Sequence, residues 1–152
     1  MSTIAARIMS LDDATKKMSK SNPNPNSRIN LLDSPDLIRS KIMKATTDSD
    51  RVIKFDALKL GIINLVEIYQ TLTGMSKEQV AIRAEGKGYG DFKKELAEVV
   101  IESMKPLQKK YQELMEDPAT VERMLIEGAE KLVPIAEKTL GDVRAKVGLG
   151  VM

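Results

Sequence analysis

Neither cysteine nor histidine occurs among the 152 residues. Without cysteine there is no disulfide framework and no thiolate metal site, and a reducing compartment is the natural setting. Without histidine, serine–histidine triads, imidazole metal ligands and histidine general bases are excluded together. Asp, Glu, Lys, Ser and Tyr are left to carry any chemistry. No apolar run approaches the roughly 20 residues needed to span a bilayer, and Asp12 and Asp13 argue against a transit peptide at the start. Strong net charge is lacking as well: 24 Lys and Arg face 22 Asp and Glu, a formal +2, which excludes a protein that coats nucleic acid by charge alone. These absences predict a soluble, cytoplasmic protein with no membrane contact. Its phosphate contacts are local, and its phosphate chemistry runs through lysine with no protein-bound metal.

What is present supports a globular domain. The length is that of one domain, and 42% hydrophobic content supports a buried core. Charge is unevenly spread: residues 1–60 carry 11 basic and 7 acidic side chains, the remainder 13 and 15. The basic excess accompanies the most irregular stretch, KKMSKSNPNPN at 16–26.

Ahead of that stretch, AARIMSL at 5–11 is short and mostly apolar, the pattern of a strand or an extended lead-in. From Asp12 to Asn30 the chain is polar, and Pro23 and Pro25 push the preceding asparagines toward extended backbone, so a loop is predicted. LLDSPDLIRSKIMKA then predicts a helix with Ser34 as cap and Pro35 at the first helical position, with Leu37, Ile38, Ile42 and Ala45 on one face and Arg39, Lys41 and Lys44 mostly on the others. TTDSDRVIKFDA reads as a connection. GIINLVEIYQTLTG predicts a helix burying Ile62, Leu65, Val66, Tyr69 and Leu72. Ser76 and Gln79 form a capping-box pattern opening a short helix that Gly86 closes in the left-handed conformation.

Two long helices complete the chain. Phe92, Leu96, Val99, Val100, Met104, Leu107, Tyr111 and Leu114 mark one face of the first, with Pro106 inside it. Val121, Leu125, Gly128, Leu132, Ile135, Thr139, Val143 and Val147 mark one face of the second, with Pro134 inside it. Such faces predict a mostly α protein built as an antiparallel helical bundle. Met104, Met115 and Met124 at helical spacing read as core.

The loop carries the chemistry. Lys17, Ser19, Lys20 and Ser21 set two ammonium groups and two hydroxyls within five residues, a set that suits a polyphosphate. A lysine placed at the phosphates stabilises the charge that grows as pyrophosphate leaves. The plain alternative is a solvated basic loop. Elsewhere, Lys87 and Tyr89 within GKGYG meet RNA by phosphate contact and stacking, or else the glycines make a tight turn and Tyr89 packs inward. Arg39, Lys41 and Lys44 face RNA or solvent. Asp48 and Asp50 cap a turn or fix a hinge.

KMSKS resembles the second signature of class I aminoacyl-tRNA synthetases. RIMSLDDATKKMSKSNPN, LLDSPDLIRSKIMKATTDSD and EGKGYGDFKKELAEVV are similar to consecutive blocks of the bacterial-type tryptophanyl-tRNA synthetases, over about Ala6 to Gly150. The related tyrosine enzymes carry a glycine soon after the signature, where Asn22 and Pro23 stand here, so the resemblance favours tryptophan. Asn22 occupies a place often held by aspartate.

That resemblance implies ATP, entering with Mg2+ as substrate, together with tryptophan and tRNA(Trp). It implies Lys20 and Lys17 as catalytic residues, Lys20 on the pyrophosphate side and Lys17 supporting the loop. It implies nucleotide contacts from Ile8, Lys17, Met18, Ser19, Lys20 and Ser21, with Ile8 and Met18 at the adenine. Residues 1–30 would be the edge of a Rossmann catalytic domain, a strand remnant followed by the loop, and residues 31–152 a helical anticodon-binding domain. The first class I signature contains histidines and is absent, so the chain is expected to be the C-terminal half of such an enzyme. It is expected to be inactive alone, with the homodimer interface mostly in the missing half, and residues 1–30 poorly ordered or paired with another copy. The alternative of a different class is a free-standing RNA- or protein-interaction module derived from a synthetase.

Overall fold

The computed structural model describes residues 7–47, 60–84 and 86–149. Among the described residues five α-helices are found: α1 Pro35–Lys44, α2 Leu60–Thr73, α3 Lys77–Ala84, α4 Tyr89–Glu116 and α5 Pro118–Lys146. No strand forms among the described residues. The extended lead-in is reduced to a single antiparallel bridge between Met9 and Lys17. Two compact units divide the chain, residues 1–108 and 109–152.

Local signals place the helix ends. Ser34 is extended and its hydroxyl accepts the Leu37 amide at 3.3 Å, with Pro35 opening α1. Ser34→Ala is expected to cost about 1 kcal/mol, read as a lower urea midpoint at unchanged slope. At α3 the capping box is reciprocal: Ser76 N–H donates to Gln79 Oε1 at 2.8 Å and Gln79 N–H to Ser76 Oγ at 3.3 Å. Gly86 follows at φ +75°, where a Cβ would be strained. α4 and α5 run through Pro106 and Pro134.

The core of the first unit is made by Ile38 and Ile42 of α1, Ile62, Leu65, Val66 and Tyr69 of α2, Val80 and Ala84 of α3, and Phe92, Leu96 and Val100 of α4. The Tyr69 and Phe92 rings meet at 5.6 Å in a tilted pair, a geometry aromatic rings favour. Leu37 and Leu72, expected inside, are exposed. Lys41, expected on an outer face, is buried with Asp33, its Nζ 2.5 Å from the carboxylate. Its position on the inner face is tolerable because the ion pair replaces the hydration both groups give up.

Glu95 of α4 collects three donors: the Tyr69 hydroxyl at 2.8 Å, Lys87 Nζ at 2.7 Å and the Arg83 guanidinium. Burial pushes its carboxyl upward, but the bonds from Lys87, Arg83 and Tyr69 outweigh burial and hold its pKa at about 2, against an ordinary 4.5. A carboxylate depressed by folding stabilises the fold fully above its unfolded pKa and loses that contribution as pH falls through the folded one. Stability is therefore expected to decline between about pH 4.5 and about pH 2, and Glu95→Gln to flatten that part of a urea-unfolding profile.

In the second unit Asp117 caps α5, accepting the Thr120 amide at 3.0 Å. No α5 side chain is buried: Leu125, Leu132, Ile135, Val143 and Val147 are all exposed. Amphipathic spacing defines a face without supplying its partner. Met115 and Met124, expected in the core, are exposed, whereas Met104 packs against it.

Candidate functional site

Residues 8–10 and 16–18 run antiparallel. Ser10 N–H donates to Lys16 O at 2.8 Å and Met18 N–H to Ile8 O at 3.0 Å, on either side of the Met9–Lys17 bridge. The reversal between them is an aspartate turn in which Asp13 accepts the Thr15 amide at 3.0 Å and the Thr15 hydroxyl at 2.6 Å. The Thr15 hydroxyl first, and then Lys16 at 2.9 Å, bring the Asp13 carboxyl down to about 2.

A sheet would ordinarily supply the outer hydrogen bonds of such a segment. Here a side chain does so: Asn64 of α2 accepts the Met9 amide and donates to the Met9 carbonyl, both at 2.9 Å. Leu11 is buried, and Ile8, Met18 and Ile29 pack against the helical core. Residues 1–30 were expected to be poorly ordered or paired with another copy; of these, residues 7–30 pack instead against the helices of their own chain. A helix amide can pair a lone extended residue as well as a neighbouring strand can.

Beyond the bridge the chain is tied down less. Ser19, Lys20 and Ser21 are exposed, as is Lys17. The tip is a turn in which Asn22 N–H donates to Ser19 O at 3.2 Å, and the Ser19 hydroxyl accepts the Ser21 amide at 3.2 Å. The Asn-Pro pairs then form a stiff exit. Asn24 is extended (φ −78°, ψ 111°), its side chain accepts the Asn26 amide at 3.0 Å, and the Arg28 guanidinium donates to Asn22 O at 2.8 Å. Pro25–Ser27 close as one 3-10 turn.

Of the residues expected to act together, Ile8 and Met18 are brought onto one apolar cleft of about 170 Å³. Ile29, then Ile68, Thr71 and Leu72 of α2, with Val100 and Met104 of α4, complete its lining. Lys17, Ser19, Lys20 and Ser21 remain outside it, facing solvent. Among the described residues no group of three or more Asp or Glu is placed to hold a metal ion, and no helix is long and apolar enough to cross a membrane.

The other candidates separate. Tyr89 is buried, 8% exposed, and Lys87 is paired with Glu95, so GKGYG works as a turn that packs its ring inward. Arg39 is held by Asp36 and by Glu98, at 2.9 and 2.7 Å. Lys41 is buried, and Lys44 is exposed. Asp48 and Asp50 lie outside the described residues. Sequence reasoning missed Asn64 and Asp12. Asn64 carried a signal, since a polar side chain one residue from Leu65 in an apolar helix must find a partner. Asp12 accepts the Ser10 hydroxyl at 2.5 Å and the Asn24 amide at 2.6 Å. The Ser10 bond chiefly, with Asn24 adding to it against partial desolvation, lowers its carboxyl below the usual value.

Residues 1–105 match the family of tRNA synthetases class I (W and Y). The chain is 49% identical over 146 residues to a tryptophan–tRNA ligase of Wolinella succinogenes and 52% identical over 145 residues to one of Caldanaerobacter subterraneus. These alignments cover 96% and 95% of the chain and 44% of each relative. The tryptophanyl-tRNA synthetase of Mycoplasma pneumoniae superposes with a TM-score of 0.82 at 31% identity, over 95% of this chain and 46% of that one. The Campylobacter jejuni enzyme, solved with ADP and tryptophan, gives 0.70 at 29% identity, over 94% and 44%. The chain thus spans less than half the length of the relatives it matches.

Proposed function

Because the chain belongs to the class I tRNA synthetases of the tryptophan and tyrosine type, we propose that it supplies part of a tryptophan–tRNA ligase, in which Lys17–Ser21 are the KMSKS loop over ATP. In the activation step the tryptophan carboxylate attacks the α-phosphorus of ATP, and pyrophosphate leaves. Lys20 offers its ammonium group to that leaving charge, and Lys17, at the bridged base, keeps the loop in place. The Ser19 and Ser21 hydroxyls and amides face the nucleotide. Transfer of the tryptophanyl group to the tRNA terminal adenosine follows, with no covalent enzyme intermediate.

One observation carries the reading. Ile8 and Met18, ten residues apart and assigned to the adenine, line a single apolar cleft and share a backbone hydrogen bond, while the Lys20 tip stays exposed beside them. An apolar slot next to free ammonium groups is the division a nucleotide requires, base in one and phosphates at the other.

In this proposal residues 1–30 form the edge of the catalytic domain and residues 31–152 the tRNA-binding helical domain. Mg2+ arrives with ATP. Tryptophan and the main dimer contacts belong to the remaining portion of the enzyme, and the protein works in the cytoplasm. The chain alone is inactive.

The test is reconstitution. Mixed with a separately expressed complementary portion of a tryptophan–tRNA ligase, the chain is expected to support tryptophan-dependent exchange of pyrophosphate into ATP, and neither part alone to do so. Exchange by the chain alone would overturn its dependence on the other portion. Silence in a mixture shown by sedimentation to associate would favour the free-standing interaction module.

A further inference from the structure

Lys93 of α4 is buried, and its ammonium group donates to two uncharged oxygens, the Ala45 carbonyl at 2.7 Å and Thr47 Oγ1 at 3.2 Å. Burial lowers its pKa. An aliphatic side chain would fill that space without the desolvation cost of a cation. What the ammonium group adds is a hold on residues 45–47, where α1 ends. The same short segment is confined from another side by Gly61, where a Cβ would collide with the Thr46 carbonyl oxygen.

Thr46 passes that constraint on. Its amide donates to Leu11 O at 2.7 Å and its hydroxyl to Asp12 O at 3.0 Å. Leu11 in turn donates to Ser27 O at 2.9 Å, and the Asp12 side chain accepts from Ser10 and Asn24. The chain entering the loop and the chain leaving it are both tied to the point that Thr46 holds.

We infer that Thr46 and Lys93 are positioning residues for the Lys17–Ser21 loop, transmitting the placement of the start of α4 to the loop base through residues 45–47 and Asp12. The inference rests on the reading of that loop as the ATP loop only for its catalytic consequence. A chain of contacts is not itself proof of coupling, so the decisive measurement is made on the 152-residue chain without nucleotide.

Amide hydrogen exchange is compared for the wild type, Thr46→Val, Thr46→Ser, Lys93→Met and Lys93→Arg. Thr46→Val keeps the side-chain shape at an exposed position and removes only the hydroxyl. It is expected to speed exchange at Ser10, Leu11 and Met18 about fivefold, the worth of one hydrogen bond, and to leave Leu96 and Val100 in the core unchanged. Lys93→Met is expected to act on the same loop amides, and Thr46→Ser and Lys93→Arg to restore most of the protection. Loop amides that exchange as in wild type refute the relay, as does an equal rise at Leu96 and Val100, which marks global loosening. In the reconstituted assay Thr46→Val is expected to raise KM for ATP several-fold at unchanged KM for tryptophan. An unchanged KM for ATP would remove the positioning role. Were Lys20→Ala fully active, the ATP reading would fall while the exchange result stood.

Discussion

Lys20→Ala is expected to lower tryptophan-dependent pyrophosphate exchange in the reconstituted enzyme by about 10²–10³-fold, with the urea midpoint of the chain unchanged. The magnitude is that of one preorganised donor removed from a charge developing in the transition state. The specificity follows from the structure: Lys20 is exposed at the tip of the loop, beyond the Met9–Lys17 bridge, and no core contact depends on it. Lys17→Ala is expected to have a smaller effect, felt mainly in KM for ATP, because the Lys17 backbone is already held by the bridge. Lys20→Arg keeps the charge but replaces a compact ammonium group with a planar fork, so partial recovery is expected. Full activity of Lys20→Ala in an associated mixture would sink the proposed role of the loop.

The second large effect is on stability. Asp33→Ala leaves the Lys41 ammonium group buried without its carboxylate, and breaking a buried pair in this way costs about 3–5 kcal/mol. At about 2–4 °C per kcal/mol for a chain of this size, Tm is expected to fall by roughly 6–20 °C. Lys41→Met is expected to be milder. The Asp33 carboxylate then still accepts the Asn30 amide at 2.8 Å and Asn30 Nδ2 at 3.1 Å. Burial pushes Asp33 upward, yet the bonds from Lys41 and Asn30 keep its pKa below the ordinary value. The double variant Asp33→Leu, Lys41→Met is expected to recover much of the loss, since it removes both desolvation costs together. Calorimetry of the three variants decides this. A double variant as unstable as Asp33→Ala would show that the pair does more than neutralise itself, for instance by orienting the Leu31–Asp33 backbone that Gln108 grips at 2.8 and 3.0 Å.

Features governed by neighbours in the chain were legible from the residues. Ser34 with Pro35, Ser76 with Gln79, and Gly86 each set a helix end through contacts spanning at most four residues, and each stands where the pattern put it. The loop was legible for the same reason, since Asn-Pro pairs restrict their own backbone. Lys41 misled because a charge is normally assigned to solvent, and its partner lies eight residues away across the start of α1. Asn64 and Lys93 were passed over because each serves backbone groups 48–55 residues distant, and nothing local marks a partner that only packing delivers.

By itself, then, the sequence determined which of the described segments become helices, where α1 and α3 begin, and which five residues carry the basic loop. It also carried the family resemblance across nearly the whole chain. Only the tertiary structure decided that Asn64 replaces a neighbouring strand for Met9, that Lys93 and Thr46 tie α4 to the base of the loop, and that α5 keeps its apolar side chains exposed. The division has one physical cause. Dihedral preferences and caps act over a few residues and are written in order along the chain. Burial, and the hydrogen bonds it obliges, depend on what the folded chain brings alongside, which amphipathic spacing can invite but cannot supply.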